Sequence, residues 1–250
     1  MNDLSTIIRE KLLGSGADLA GIGDLSELPP DVRENMPIGI SIAVKYPKEI
    51  IRGIAEYPSH EYYEWYLRLN KQLDMLVSLG ADELKAQGHE AVALTQKHVE
   101  KAYKAKLAAH PQESPGDEYT RLLPHKTVAT RAGLGWIGKC ALLITREYGS
   151  MIRISSILTN APLTAAESIN NSACGNCVIC KDACPANAVS GKLWKAGMPR
   201  KEFFDARACC KTAQERSRKN LGLDITICGK CIEICPHTRR YLEAGEKFIE

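Results

Sequence analysis

Seven of the ten cysteines in this 250-residue chain fall into two short runs near its C-terminus. The first run has the spacing C-x2-C-x2-C-x3-C-P, and the second has the spacing C-x2-C-x3-C-P. The runs comprise Cys174, Cys177, Cys180 and Cys184, followed by Cys228, Cys231 and Cys235. Such close spacing lets a tight loop turn several thiolates towards one centre. The C-terminal part of the chain is therefore expected to fold around metal.

The spacing of the first run is the one that bacterial proteins use to hold [4Fe–4S] clusters. In proteins with two clusters, the last cysteine of such a run, which precedes proline, ligates the other cluster. The ligands predicted for cluster I are Cys174, Cys177, Cys180 and Cys235. By this exchange rule, in which the last cysteine of each run ligates the other cluster, Cys184, Cys228 and Cys231 belong to cluster II. Cluster II is then one ligand short.

The missing ligand must come from outside the two runs. Cys209 and Cys210 lie between them, and the spacing does not decide which of the two is used. The ten cysteines then divide into eight ligands and two spares, Cys140 and one member of the pair. Cys140 stands in an apolar stretch, which predicts a buried structural thiol.

Two other uses of cysteine are possible. Disulfides suit secreted proteins, but the start of the chain lacks the basic and apolar regions of a signal peptide. Structural zinc also uses C-x2-C pairs and is the stronger alternative. The tight run that ends in Cys-Pro is not typical of zinc sites. Two [4Fe–4S] clusters are therefore the preferred interpretation, with zinc as the alternative.

The composition adds few constraints. No apolar stretch approaches the roughly 18 residues that span a bilayer, and reduced cysteines favour a cytoplasmic protein. The net charge is only +3. Between Lys192 and Lys219, however, nine basic residues face only three acidic ones. This stretch suits an acidic redox partner or a nucleic-acid backbone, and an ordinary solvated surface is the simpler alternative.

Helices and strands are predicted without regular β-α-β alternation, which favours the α+β class. We expect residues 1–165 to form one domain and residues 166–250 a smaller cysteine-rich domain. Predicted helices cover residues 4–13, 59–87 and 99–109, and predicted strands cover 18–23, 38–44 and 91–94. Residues 141–145 and 151–158 are expected to pair as a hairpin.

The segment from Gly133 to Gly138 fits the pattern G-x-G-x-x-G. Alone this pattern is weak evidence for a dinucleotide, because here it follows a helix-like stretch and opens no helix. Glycines nevertheless let a backbone approach a flat or bulky group closely. A second redox cofactor beneath this segment is one hypothesis, and a plain tight turn is the other.

The stretch Arg131–Lys139, followed by the first cysteine run, resembles the epoxyqueuosine reductases. Glu61-Tyr62-Tyr63 is similar, imperfectly, to an Asp-Tyr-His element of that family. The segment from Asp205 to Cys209 is similar to the one that carries the family's lone intermediate cysteine. The resemblance thus implies that Cys209 completes cluster II and that Cys210 is spare.

The resemblance also implies a fold and a second cofactor. It predicts an N-terminal α+β domain, similar to the nitroreductase and cobalamin-processing folds, that holds base-off cobalamin. A bacterial two-cluster ferredoxin module then feeds it electrons, an arrangement that reductive dehalogenases share. The residues implied to border the corrinoid are Arg131, Ala132, Gly133, Leu134, Gly135, Trp136, Ile137, Gly138 and Lys139.

Two departures from the family bear on the substrate. The family places an aspartate proton donor twelve residues before the motif arginine, where this chain has Tyr119. Reductive dehalogenases use a similar tyrosine with a basic neighbour, so Tyr119 is the candidate proton donor. Lys126 is expected to lower its pKa or to hold an anionic substrate. The chain stops at Glu250 without the helical-repeat domain that helps relatives hold tRNA, so a tRNA substrate is not expected.

These residues predict an iron–sulfur, cobalamin-dependent reductase. Electrons from a donor such as ferredoxin or flavodoxin would pass through the two clusters to the corrinoid, which reduces a small molecule or a corrinoid protein. Two alternatives stay open. One is a non-catalytic electron carrier or reductive activator of a partner corrinoid protein, and the other is a flavin-containing reductase on the same fold.

Overall fold

A computed structural model of the chain describes residues 3–109 and 122–244. The helices are α1 (Leu4–Gly14), α2 (Lys48–Arg52), α3 (His60–Ala86), α4 (Gln96–Ala109), α5 (His125–Arg131), α6 (Ile179–Asp182), α7 (Ala206–Leu221), α8 (Lys230–Glu233) and α9 (Pro236–Glu243). The strands are β1 (Leu19–Asp24), β2 (Ile38–Lys45), β3 (Ala91–Ala93), β4 (Trp136–Ile137), β5 (Leu143–Ile144) and β6 (Ile152–Thr159). This mixture confirms the predicted α+β class.

The chain divides into two compact units, each assembled from separate segments. The first, here called the sheet unit, comprises Met1–Val44, Asn70–Leu134 and Arg153–Ile169. The second, the cysteine unit, comprises Lys45–Leu69, Gly135–Ile152 and Asn170–Glu250. The domain boundary expected between residues 165 and 166 stays a prediction.

The sheet unit is built on a four-stranded sheet with the order β1-β2-β6-β3. Strands β1 and β2 pair antiparallel with Leu19 opposite Ala43, and β3 pairs antiparallel with β6. Six of the eight residues of β2 are buried. This burial explains why β2 is a nearly continuous apolar run rather than an alternating one. A core cluster of Leu25, Leu94, Val128 and Leu158 packs in this unit.

Helix α3 runs through Gly80 and ends before Gly88, so the predicted helix is confirmed and Gly80 does not break it. A Cβ atom at Gly80 would lie 2.5 Å from Ile157 Cδ1 of β6. Glycine is therefore required there for close packing of helix on strand. Gly88 has a positive φ of 85°, a conformation that suits glycine after a helix.

The hairpin expected between residues 141–145 and 151–158 is wrong. Leu143 and Ile144 of β5 pair instead with Ile137 and Trp136 of β4, while β6 lies in the main sheet. The β4–β5 turn is closed by Gly138, whose N–H donates to the Leu142 carbonyl over 2.8 Å. An apolar segment does not show which strand it pairs with, and the short loop between residues 141–145 and 151–158 suggested the wrong partner.

No helix among residues 3–109 and 122–244 is long and apolar enough to cross a membrane. The loop expected at residues 110–117 lies outside the described residues.

Candidate iron–sulfur and cofactor sites

Tight turns arrange the first cysteine run. The N–H of Cys177 donates to the Cys174 carbonyl over 3.2 Å, and Gly175 between them has a φ of 52°. Cys180 lies on the four-residue helix α6. Cys184 is buried, and its Sγ accepts a hydrogen bond of 3.4 Å from the backbone N–H of Ala188. The run therefore folds into tight turns within eleven residues, with Cys184 buried and the other three cysteines partly exposed.

The second run depends on Gly229, which follows Cys228. Its φ is 79°, and a Cβ atom there would lie 2.4 Å from Ile54 Cδ1. Glycine is thus required both for conformation and for space. Cys235 is the N-cap of α9, whose first residue is Pro236, the position where proline is favoured. Among the described residues it makes no side-chain capping hydrogen bond, and the nearby backbone N–H groups of Thr238 and His237 favour its thiolate.

Cysteines that are predicted to share a cluster influence one another electrostatically, although among the described residues no three His, Cys, Asp or Glu side chains converge closely enough to hold a metal ion. Cys235 lies close enough to Cys174 and Cys180 for their charges to interact. Cys209 interacts in the same way with Cys184 and Cys228. Each set joins cysteines that are distant in sequence. The assignment of ligands to the two clusters stays a prediction, supported by this grouping.

The electrostatics of these thiols favour a bound cation. Burial is the main cause that raises the pKa of Cys209 to about 11, and the neighbouring Cys184 and Cys228 raise it further. Burial likewise raises the pKa of Cys235, although the nearby backbone N–H groups of Thr238 and His237 oppose the rise. Buried thiols that resist ionisation on their own become stable thiolates when a positively charged metal centre binds them. The donor set fits iron–sulfur clusters.

The structure favours Cys209 over Cys210 as the borrowed ligand. Both lie in the first turns of α7, where Asp205 is the N-cap and accepts hydrogen bonds from Arg207 N (3.0 Å) and Ala208 N (2.9 Å). Cys209 is partly buried and packs in a cluster that includes Cys184. Cys210 is exposed.

Cys140 is buried, as predicted for a structural thiol. Cys180 and Cys231 of the two runs pack against the buried cluster that contains it, which the sequence did not predict. The thiol of Cys180 by itself lowers the pKa of Cys140. The thiol of Cys231 and burial outweigh this and raise that pKa well above the ordinary value.

The glycines of the G-x-G-x-x-G segment are explained by contacts within each unit. A Cβ atom at Gly135 would lie 2.2 Å from the Ile144 carbonyl oxygen, and one at Gly138 would lie 2.5 Å from Ile144 Cδ1. Gly133 has a φ of 70°. In β1, a Cβ atom at Gly21 would lie 2.5 Å from the Ala132 carbonyl oxygen. The tight-turn alternative therefore accounts for these glycines, and the corrinoid border stays a prediction.

The segment changes character along its length. In the sheet unit, Arg131, Gly133 and Leu134 are partly exposed, and Arg131 forms an ion pair of 3.2 Å with Glu27. In the cysteine unit, the side chains from Trp136 to Lys139 are buried. The Nζ atom of Lys139 donates to the Cys177 carbonyl over 2.9 Å. Lys139 therefore faces the first cysteine run.

The predicted catalytic pair is described only in part. Tyr119 lies outside the described residues, and Lys126 lies, partly buried, in the first turn of α5. Its neighbour His125 was missed. His125 Nδ1 lies 3.0 Å from Ser156 Oγ, and burial, helped by the charge of Arg153, lowers the pKa of His125 to about 4. No periodic or spacing signal marks this histidine in the sequence.

Two other predicted features take part in packing. Tyr62 of the Glu61-Tyr62-Tyr63 element is buried, and its ring centroid lies 5.3 Å from that of Tyr46. In the basic stretch 192–219, Arg218 forms an ion pair of 2.9 Å with Asp224. Arg216 donates to the Glu56 carbonyl and lies over the Tyr57 ring. Part of this stretch therefore serves internal contacts.

Comparison with known proteins agrees with the cysteine geometry. Residues 173–238 match the family model of a 4Fe-4S double cluster binding domain, so the chain carries two [4Fe–4S] clusters. Over 127 residues the chain is 38% identical to the epoxyqueuosine reductase of Synechococcus sp. strain CC9605, a match covering 47% of this chain and 36% of that protein. About half of the chain is thus similar in sequence to epoxyqueuosine reductases.

Other epoxyqueuosine reductases match to a similar extent. The enzyme of Escherichia coli K12 is 31% identical over 122 residues, which is 46% of this chain and 30% of the relative. The matches to these two relatives thus span about a third of the relatives' length.

Solved structures confirm the fold. A reductive dehalogenase structure described as suggesting a mechanism for B12-dependent dehalogenation superposes with a TM-score of 0.65 at 17% identity, covering 93% of this chain and 32% of that one. An epoxyqueuosine reductase in complex with a modified tRNA stem loop has a TM-score of 0.57 at 20% identity, covering 94% of this chain and 65% of that one.

Proposed function

We propose that the protein is a cytoplasmic reductase that passes electrons from two [4Fe–4S] clusters to a bound cobalamin, and so reduces a substrate other than tRNA. The observation that carries the proposal is the grouping of the cysteines, Cys235 with Cys174 and Cys180, and Cys209 with Cys184 and Cys228. Two adjacent one-electron centres suit delivery of electrons in single steps. The homology to epoxyqueuosine reductases supports the reaction class.

Cobalamin, when bound, supplies a cobalt ion that is reduced by one electron at a time and that in turn reduces the substrate. The residues proposed to hold it are those of the segment from Arg131 to Lys139. Within it, Arg131, Gly133 and Leu134 keep exposed surface, whereas the side chains from Trp136 to Lys139 are buried. We therefore place the cofactor contact at the Arg131–Leu134 end, and assign Lys139 to the cysteine run.

Reductive cleavage of a substrate bond leaves an anion that needs a proton. We propose that Tyr119 donates it and that Lys126 favours the ionised phenolate or binds an anionic substrate. A small molecule or a corrinoid protein is proposed as the substrate, because a tyrosine stands where the epoxyqueuosine reductases have their aspartate. Replacing Tyr119 with Phe removes the proton and is expected to stop turnover, while cluster and cobalamin content stay unchanged. Undiminished turnover of a true substrate would exclude this role.

The electron donor is proposed to be an acidic one-electron carrier such as ferredoxin or flavodoxin. Beside the predicted ligands of cluster I, an open concave surface of about 730 Å³ is lined by Ile179, Pro236, Arg239 and Arg240, among others. Ile179 is 42% exposed, although it is apolar. The lining also includes Glu243. Arg239 pairs with Glu233, which leaves Arg240 as the main positive group. An apolar floor beside this arginine suits an acidic partner, and the association rate is then expected to fall with ionic strength.

A second candidate function is a non-catalytic reductive activator of a partner corrinoid protein. The basic residues between Lys192 and Lys219 favour it, because nine of them against three acidic residues suit a predominantly positive docking surface. In that case the protein binds no cobalamin itself but reduces the cobalamin of its partner.

One preparation separates these functions. The chain is purified without oxygen, incubated with micromolar cobalamin and freed of unbound cofactor by gel filtration. The proposal predicts iron and sulfide for two clusters, retained cobalt and the absorbance of a corrinoid. Retained iron without cobalt favours the activator, and a flavin spectrum favours a flavin reductase on the same fold.

A further inference from the structure

Cys140 occupies a fixed position at the tip of the β4–β5 turn. The N–H of Ala141 donates to the Gly138 carbonyl over 2.8 Å, and Ala141 has a φ of 60°. The side chain of Cys140 is only 4% exposed. The backbone thus directs this thiol into the interior of the cysteine unit.

The thiol contacts predicted ligands of both clusters. The thiols of Cys180, assigned to cluster I, and Cys231, assigned to cluster II, pack against the buried cluster that contains Cys140 and lie close enough to influence its ionisation. This core cluster also includes Cys184 and Cys209. The other spare cysteine, Cys210, is exposed and lies 3.9 Å from Thr226 Oγ1. The two spare cysteines therefore occupy opposite environments.

A hydrogen bond to a ligand sulfur changes the potential of an iron–sulfur cluster. Reduction adds negative charge to the cluster and its thiolates, so a donor that points at a ligand sulfur stabilises the reduced state. The effect is larger for a buried donor, because water screens it less. Lys139 precedes Cys140, and its buried ammonium group donates a hydrogen bond to the Cys177 carbonyl of the first cysteine run. The β4–β5 turn therefore presents two donor groups, one of them a cation, to the cysteine runs.

We propose that Cys140 is a positioning residue for the clusters, not a ligand. Its S–H donates to the Cys231 sulfur and raises the reduction potential of cluster II, while its sulfur packs against Cys180 of cluster I. The inference deepens the proposed function, because it concerns electron delivery through the two clusters. It does not depend on cobalamin, so it can be tested without that cofactor.

The test uses the full chain, purified or reconstituted without oxygen, with the replacements Cys140→Ala, Cys140→Val and Cys140→Ser. Ala and Val both remove the S–H donor. Val nearly preserves the side-chain volume, so it serves as the second variant if Ala leaves a destabilising cavity. Ser keeps a donor. Cys210→Ala is the matched control, because it removes the exposed spare cysteine. Iron and sulfide content and a redox titration followed by electron paramagnetic resonance are measured for each protein.

Cys140→Ala and Cys140→Val are expected to keep the iron of two clusters and to shift the reduction equilibrium of cluster II about tenfold towards the oxidised state, which is about 59 mV for one electron. Cys140→Ser is expected to shift it less, and Cys210→Ala not at all. An unchanged reduction potential of cluster II in both Cys140→Ala and Cys140→Val would overturn the proposed role of Cys140. Loss of one cluster's iron in both would show instead that Cys140 is a ligand. If the unmodified protein lacks two clusters, it is the proposed function that fails.

Discussion

Different interactions stabilise the interior of the sheet unit and the interior of the cysteine unit. In the sheet unit, β2 buries six of its eight residues, and apolar side chains such as Leu25 and Leu158 pack in a core. In the cysteine unit, α6 and α8 have only four residues each. Helices this short are not stable by themselves. The comparison indicates that apolar burial stabilises the first unit, whereas metal ligation supplies much of the stability of the second.

The largest expected effect is that of iron removal. Chelation or oxidative loss of the clusters should expose the backbone amides of residues 174–184 and 228–235 to hydrogen exchange, because their turns lose the bonds that close them. The amides of β2 and β6 should keep their protection. Hydrogen exchange followed by mass spectrometry measures both in one sample. Equal loss of protection in the two units would contradict the comparison.

The next effect concerns the ligand borrowed from α7. Replacing Cys209 with Ala is expected to remove one cluster and to leave the other, because Cys184 and Cys228 then lack their neighbour. Cys210→Ala is the matched control and should keep the iron of both clusters. Iron and sulfide analysis distinguishes the two variants. The opposite result, with loss of a cluster only in Cys210→Ala, would reverse the assignment.

The pH dependence of the sheet unit provides a third test. The pKa of His125 is about 4 in the folded protein, against an ordinary value near 6.5. Between these values the unfolded chain binds more protons, so stability falls as the pH drops from about 6.5 to about 4. The loss is on the order of 3 kcal/mol, taking 1.36 kcal/mol for each pKa unit.

Hydrogen exchange of the β6 amides at pH 7 and pH 5 measures this slope, which is the change in stability with pH. His125→Gln removes the titrating group and should flatten it, whereas His89→Gln provides a control at a second histidine of the same unit. An equal slope in the wild type and in His125→Gln would show that His125 does not cause the dependence.

The smallest expected effect is at the N-cap of α7. Asp205→Ala removes the acceptor for Arg207 N and Ala208 N and is expected to cost about 1 kcal/mol. Asp205→Asn keeps an acceptor and is the matched control. Because Cys209 lies one turn further along, the Ala variant should lose iron from cluster II more readily on chelation than the Asn variant. Equal rates of iron loss in the two variants would show that the N-cap of α7 does not affect cluster II.

How far the sequence predicted the molecule depends on how local each feature is. The cysteine runs follow a spacing rule set by cluster chemistry, so a domain that binds two [4Fe–4S] clusters could be predicted from them, in agreement with the family match over residues 173–238. Which cysteine ligates which cluster stays a prediction. The helix at α3 and the strand at β2 follow from apolar patterns of sufficient length. In contrast, the partner of β5 and the contacts of Cys140 and Lys139 arise from pairings between distant segments, which no local pattern records. The same is true of the partly buried His125, whose low pKa results from packing.

The metal and cofactor content of the anaerobically purified chain distinguishes a cobalamin-dependent iron–sulfur reductase from its alternatives. After incubation with cobalamin and gel filtration, iron, sulfide, cobalt and zinc are measured against protein concentration. The account predicts iron and sulfide for two [4Fe–4S] clusters, cobalt stoichiometric with the chain and no zinc. Zinc in the cysteine unit, or two clusters without any retained cobalt, would contradict it.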